Sequence, residues 1–163
     1  MRLGLHGQVR RVWAPRGVKV RQVRQIVYRW RYLSIAVDPI RGDLWWAWMS
    51  NMKKESVAEV VKGWREQGIE AIVWDGASSH RSKVTKEVGV PLIGLPAHSP
   101  ELNPVERIIE EVRAEIEGVA YESLEAKQAK AEAFLRELQA DPDRVRRLAG
   151  WAWITEADEQ LAA

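Results

Sequence analysis

The chain has 163 residues, 46% of them hydrophobic, enough to bury one substantial core and short for two. It has no Cys and only three scattered His, which excludes disulfides, thiolate metal sites and a zinc cluster, so any metal would have to prefer oxygen. No run approaches about eighteen apolar residues, and the basic start lacks the apolar stretch of a secretory signal, so the expectation is no membrane span and a cytoplasmic location.

The net charge of +2 conceals an asymmetry. Nine cations (Arg2, Arg10, Arg11, Arg16, Lys19, Arg21, Arg24, Arg29 and Arg31) precede the first acid, Asp38, leaving sixteen cations against 23 acids in the remainder. Clustered Arg without acid is the footprint of a polyanion partner, because each phosphate neutralised releases counterions. A solvated pair of Arg-rich strands meeting the protein's own acidic half is the competing reading. The candidate nucleic-acid contacts are Arg10, Arg11, Arg16, Lys19, Arg21 and Arg24.

In chain order, the first fifty residues are rich in Val, Ile, Trp and Tyr, with turn signals at Pro15-Arg16-Gly17 and from Asp38 to Asp43. They predict a strand meander over Gln8–Trp13, Val18–Val23, Trp30–Val37 and Leu44–Met49. Val57, Val60, Val61 and Trp64 recur at helical spacing, and Gly68 supplies a stop, which predicts a helix over 53–67. The apolar runs 69–74 and 90–95 read as buried strands flanking a helix near 79–88, a parallel crossover. Helix starts at Asn103-Pro104, near Glu122 and at Asp141-Pro142 make the second half helical. Most of the nine Trp occupy strand positions suited to packing rather than to base stacking.

Two carboxylates stand out. Asp75 follows a predicted strand of the crossover, where open α/β sheets place ligands because their loops diverge. Glu106 opens a predicted helix. Each has a structural alternative: Asp75-Gly76 is a turn signal, and Glu106 completes a capping box with Asn103 as N-cap and Pro104 at the first helical position. Facing one crevice, the two would share a hard cation. Two-metal phosphodiester chemistry needs three or more carboxylates, so these two alone are short of a full set. His80, five residues after Asp75, either orients a water or phosphate near the site or begins the next helix as a partly exposed polar residue.

The segment Val73-Trp74-Asp75-Gly76-Ala77-Ser78-Ser79-His80 resembles the second-aspartate motif of the DDE transposases of the mariner-like insertion-sequence group. Leu95-Pro96-Ala97-His98-Ser99-Pro100-Glu101-Leu102-Asn103-Pro104-Val105-Glu106-Arg107 resembles their glutamate motif. Similarity extends through Gly42-Asp43 and the Trp13-Ala14-Pro15-Arg16-Gly17 turn, over residues 2–113, with Ile109 replacing the aromatic that often follows the glutamate. The resemblance implies a ribonuclease-H-like α/β fold, a mixed sheet flanked by helices, with a helical C-terminal tail. It implies two Mg²⁺ or Mn²⁺ ions, Asp75 and Glu106 as catalytic metal ligands, His80 beside DNA, transposon-end DNA as partner and a homodimer near the nucleoid. In that family the first catalytic Asp lies just upstream of the segment matching residues 2–17. The expectation is therefore an N-terminally truncated catalytic domain over 1–117, lacking its first, central strand and first acid and inactive, with a helical extension over 118–163. Asp38 and Asp43 are offered as substitutes for the first acid, against their reading as turn residues. The competing functions are a non-catalytic nucleic-acid-binding or self-associating relic, and a stand-alone metal-dependent nuclease using Asp38.

Overall fold

The computed structural model describes residues 1–7, 12–22, 25–75, 82–96 and 99–162. Its elements are the strands β1 (Arg2–Gly4), β2 (Trp30–Val37) and β3 (Leu44–Met49), the helix α1 (Lys54–Glu66), β4 (Ile72–Trp74), a single turn α2 (Lys83–Lys86) and β5 (Leu92–Gly94). The helices α3 (Val105–Ile116), α4 (Leu124–Gln139), α5 (Pro142–Ala149) and α6 (Ala152–Ala162) follow. The mixed α/β, helix-flanked class is the expected one and is consistent with a ribonuclease-H-like fold. The strands form two sheets, an antiparallel β1-β2-β3 and a parallel β4-β5.

Successive side chains of β2 leave opposite faces of a pleated strand, and both faces are covered, so all but the buried Leu33 are half-buried. Leu33 enters one core, with Leu3, Leu5 and Leu44 from the same sheet, and meets Ile108 and Val112 of α3, Phe134, Leu135 and Leu138 of α4 and Val145 of α5. Tyr32 and Ala36 face the other way, onto Met49, Val57, Val61 and Trp64, where α1 packs. The antiparallel sheet is thus sandwiched between α1 and the α3–α5 layer.

Local chemistry sets the element ends. The β2–β3 hairpin turns on Asp38, whose Oδ1 accepts the N–H groups of Ile40 and Arg41, each at 2.9 Å. Gly42 completes the turn at φ 81°, and an added Cβ would lie 2.2 Å from the carbonyl oxygen of Pro142, so the hairpin is pressed against the start of α5. Ser123 and Asp141 cap α4 and α5 by accepting the N–H groups of Ala126 and Arg144.

The helices after residue 117 are tied to the sheet by polar contacts as well as by the core. Lys127 Nζ donates to the Gly4 carbonyl (2.9 Å), Gln139 Nε2 to that of Leu44 (2.7 Å) and Arg146 to that of Arg41 (2.7 Å). Burial lowers the Lys127 pKa, with the Glu117 charge opposing that shift.

The predicted strand over Val18–Val23 is not found in its described part: Val18 to Gln22 are irregular and Val18, Lys19, Val20 and Arg21 are exposed. Val12 and Trp13 are likewise exposed and irregular, and the rest of the predicted Gln8–Trp13 strand, like Val23, lies outside the described residues. A β-branched run gains little from an extended conformation when nothing covers it. β1 instead pairs with β2, Arg2 opposite Tyr32.

Candidate active site

The site is built at the ends of β4 and α3. Ile72 N–H donates to Pro91 O and Leu95 N–H to Trp74 O, which fixes β4 and β5 in parallel and delivers Asp75, exposed, at the carboxyl end of β4. Glu106 sits half-buried in the first turn of α3. Both line one cavity of about 1150 Å³, together with Met1, Asn103 and Arg113.

The amide that Glu106 would engage in a capping box is taken by another group: the Asn103 N–H donates to the Pro100 carbonyl at 2.9 Å. Asn103 Oδ1 accepts the Val105 N–H at 3.2 Å, and the Asn103 carbonyl accepts the Glu106 N–H at 3.0 Å. Pro104 holds the helical conformation just ahead of α3, with φ −61°. Among the described residues no hydrogen bond or ion pair engages the Glu106 carboxylate, which is left to face the cavity.

Charge converges on the same place. The Met1 amino group donates to the Leu33 carbonyl, and burial lowers its pKa below the ordinary 8.0. Arg113 lowers it further, while Glu106 and Asp75 oppose the shift. Arg113 escaped the sequence reading, although it lies seven residues after Glu106 and so on the same helix face.

The cavity separates the two sheets. On β2, Arg31 and Leu33 turn their backbone groups toward β1 and Met1, so by strand alternation Ile35 and Val37 turn theirs the same way, into the cavity. On β4, Ile72 and Trp74 bond to the β5 side, so Val73 points its N–H and C=O toward the cavity from the opposite wall. Among the described residues no strand lies between these edges.

Of the other candidates, Arg16, Lys19 and Arg21 are exposed on the segment 12–22, away from any regular element. Arg10, Arg11, Arg24 and His80 lie outside the described residues. Asp38 and Asp43 also line the cavity, but the Asp38 carboxylate is occupied by the turn amides. The donor set suits a hard, oxygen-preferring cation. Among the described residues no group of three metal-ligating side chains assembles, so the pair fits one ion in part and a two-ion site incompletely.

The family model of the DDE superfamily endonuclease matches residues 1–128, and the chain belongs to that family. The family is one of transposase-type nucleases with DNA as substrate, and its enzymes generally use divalent metals such as Mg²⁺. The match ends inside α4. A search of curated proteins found no match. No helix among the described residues is long and apolar enough to cross a membrane.

Proposed function

We propose that this chain carries the catalytic domain of a transposase of the mariner-like insertion-sequence group, with Asp75 and Glu106 as two members of its carboxylate set. What supports the reading most is that Glu106, whose capping-box amide is taken by the Pro100 carbonyl, shares a cavity with Asp75. Both would hold Mg²⁺ or Mn²⁺, which when bound supplies Lewis-acid stabilisation of the attacked and leaving phosphate oxygens. Arg113 would balance the charge of the acids and draw phosphate to the cavity. Residues 1–117 would carry the chemistry on DNA, and 118–163 would form the helical wall behind it.

Cleavage and strand transfer need a third carboxylate. We infer that it enters from just upstream of Met1, because Met1 lines the cavity beside both acids, and that the chain without it binds metal weakly and does not cut. The test is nicking of supercoiled plasmid in Mg²⁺ by this chain and by one lengthened with an apolar strand ending in Asp-Glu before Met1. The reading expects nicking only from the longer chain, abolished by Asp75→Asn. Nicking by the shorter chain that survives Asp75→Asn and Glu106→Gln would refute it.

A non-catalytic nucleic-acid-binding role is favoured by the exposed Arg16, Lys19 and Arg21. It predicts steeply salt-dependent DNA binding that survives loss of both acids. The stand-alone nuclease using Asp38 is disfavoured by the two amides that engage its carboxylate.

A further inference from the structure

The face of the antiparallel sheet opposite α3–α5 is covered by α1 only over Tyr32, Ala36, Trp45 and Met49. Beyond that cover, at the open end of the β1–β2 ribbon, three rings gather. His6 and Tyr28 lie 5.0 Å apart between centroids, Tyr28 and Trp30 meet edge to face at 5.9 Å, and His6 and Trp30 are 6.3 Å apart. The Arg2 guanidinium sits over the Trp30 ring, 4.3 Å from its centroid. Gly4 makes this possible: an added Cβ would lie 2.4 Å from the Trp30 ring, so the indole rests directly on the strand. Tyr28 is 69% exposed, although its ring is large and mostly apolar.

An exposed aromatic group of this kind has two usual ligands, a cation or another flat π-system. Arg2 already occupies the cation position, and the one acid that reaches this ribbon in an ion pair among the described residues, Glu125, is engaged by Arg29 and Arg31. The surrounding charge is mainly positive: the segment 12–22, which leaves the same ribbon, exposes Arg16, Lys19 and Arg21, while Arg29 and Arg31 are paired with Glu125. Positive charge draws a polyanion, and flat rings at its edge offer a stacking surface. Bases inside a duplex are already stacked on each other, so the ligand must present unpaired bases.

We propose that Tyr28, supported by Trp30 and His6 and flanked by Arg2, is a stacking platform for unpaired bases of a DNA strand. This rests on the reading of the chain as a DNA-acting protein and adds to it a preference for single-stranded or frayed DNA. The platform is independent of Asp75, Glu106 and any metal.

The test is the affinity of the full chain, in EDTA, for an oligothymidylate single strand and for a blunt duplex, by fluorescence anisotropy over a range of salt. Tyr28→Leu keeps apolar bulk and removes the ring; it should weaken single-strand binding about 10-fold, while Tyr28→Phe stays within about twofold of the parent. Duplex affinity should stay within about twofold in both, and the slope of log affinity on log salt should not change, because no phosphate contact is lost. Thermal melting of Tyr28→Leu at the parent temperature shows that the comparison is between folded chains, and if that variant melts early, Tyr28→Met, which also removes the ring, takes its place with the same expected loss and the same refuting outcome. Equal affinities of Tyr28→Leu and Tyr28→Phe, or an equal fall on duplex, overturns the platform while leaving DNA binding intact. No binding to either DNA overturns both.

Discussion

Leu135 lies on α4, beyond the end of the family match at residue 128, yet its side chain is fully buried against residues of β1, β2 and α3. Truncating it removes three heavy-atom groups from a core that includes Leu3, Leu33 and Ile108, and the cavity left behind adds to the lost transfer energy. Leu→Ala at such a position costs about 2–5 kcal/mol. The neighbouring Lys127 and Gln139 contacts to Gly4 and Leu44 hold α4 in place and oppose collapse into the void, so about 3–4 kcal/mol is the expected value for Leu135→Ala. Against a total of about 5–15 kcal/mol this is a large fraction, and at this chain length it corresponds to a fall in Tm of roughly 6–16 °C. The assay is thermal and urea unfolding followed both by Trp fluorescence and by far-UV circular dichroism, since β3 carries three Trp and the C-terminal helices dominate the helical signal. Both signals should shift together. A dichroism transition that moves while the fluorescence transition stays would refute the shared core and make 118–163 a separate unit.

Gly42→Ala must place a Cβ against the Pro142 carbonyl at positive φ and should cost at least about 1–3 kcal/mol, whereas Gly17→Ala, with nothing within 4 Å, should cost only the strain of its own φ, about 1 kcal/mol; comparing the two melting temperatures checks this. Ser123→Ala removes the α4 cap and should cost about 1 kcal/mol in urea unfolding. The lowered Lys127 pKa means that, between that value and 10.5, the unfolded chain holds a proton the folded chain has released, so stability should rise with pH across this window. Lys127→Met should flatten that part of the pH profile, and a profile with unchanged slope would contradict the assignment to Lys127.

Much of the fold was legible in the residues because it depends on local patterns. β2 and β3 occupy their expected spans, since Asp38 and Gly42 specify the turn between them. α1 falls within a residue of its expected ends, because Val57, Val61 and Trp64 form one apolar stripe. β1 was invisible because three residues show no periodicity, and its partner Tyr32 lies thirty positions away. The opposite failure occurred over Val18–Gln22, where a strand-like composition lacks the covering side chains that would reward pairing. At the site, Asp75 and Glu106 were readable from their placement after a strand and at a helix start. Their convergence with Arg113 and Met1 depends on how β4 and α3 pack, which no local pattern encodes.

The account rests on Asp75 and Glu106 acting together on one divalent ion. Mn²⁺ titration of the chain, followed by electron paramagnetic resonance of the free ion, tests this directly, with Asp75→Asn and Glu106→Gln alongside. The account predicts weak binding of one ion per chain, lost in either variant and displaced by excess Mg²⁺. Binding that persists in both single variants, or that disappears in only one of them, would contradict it.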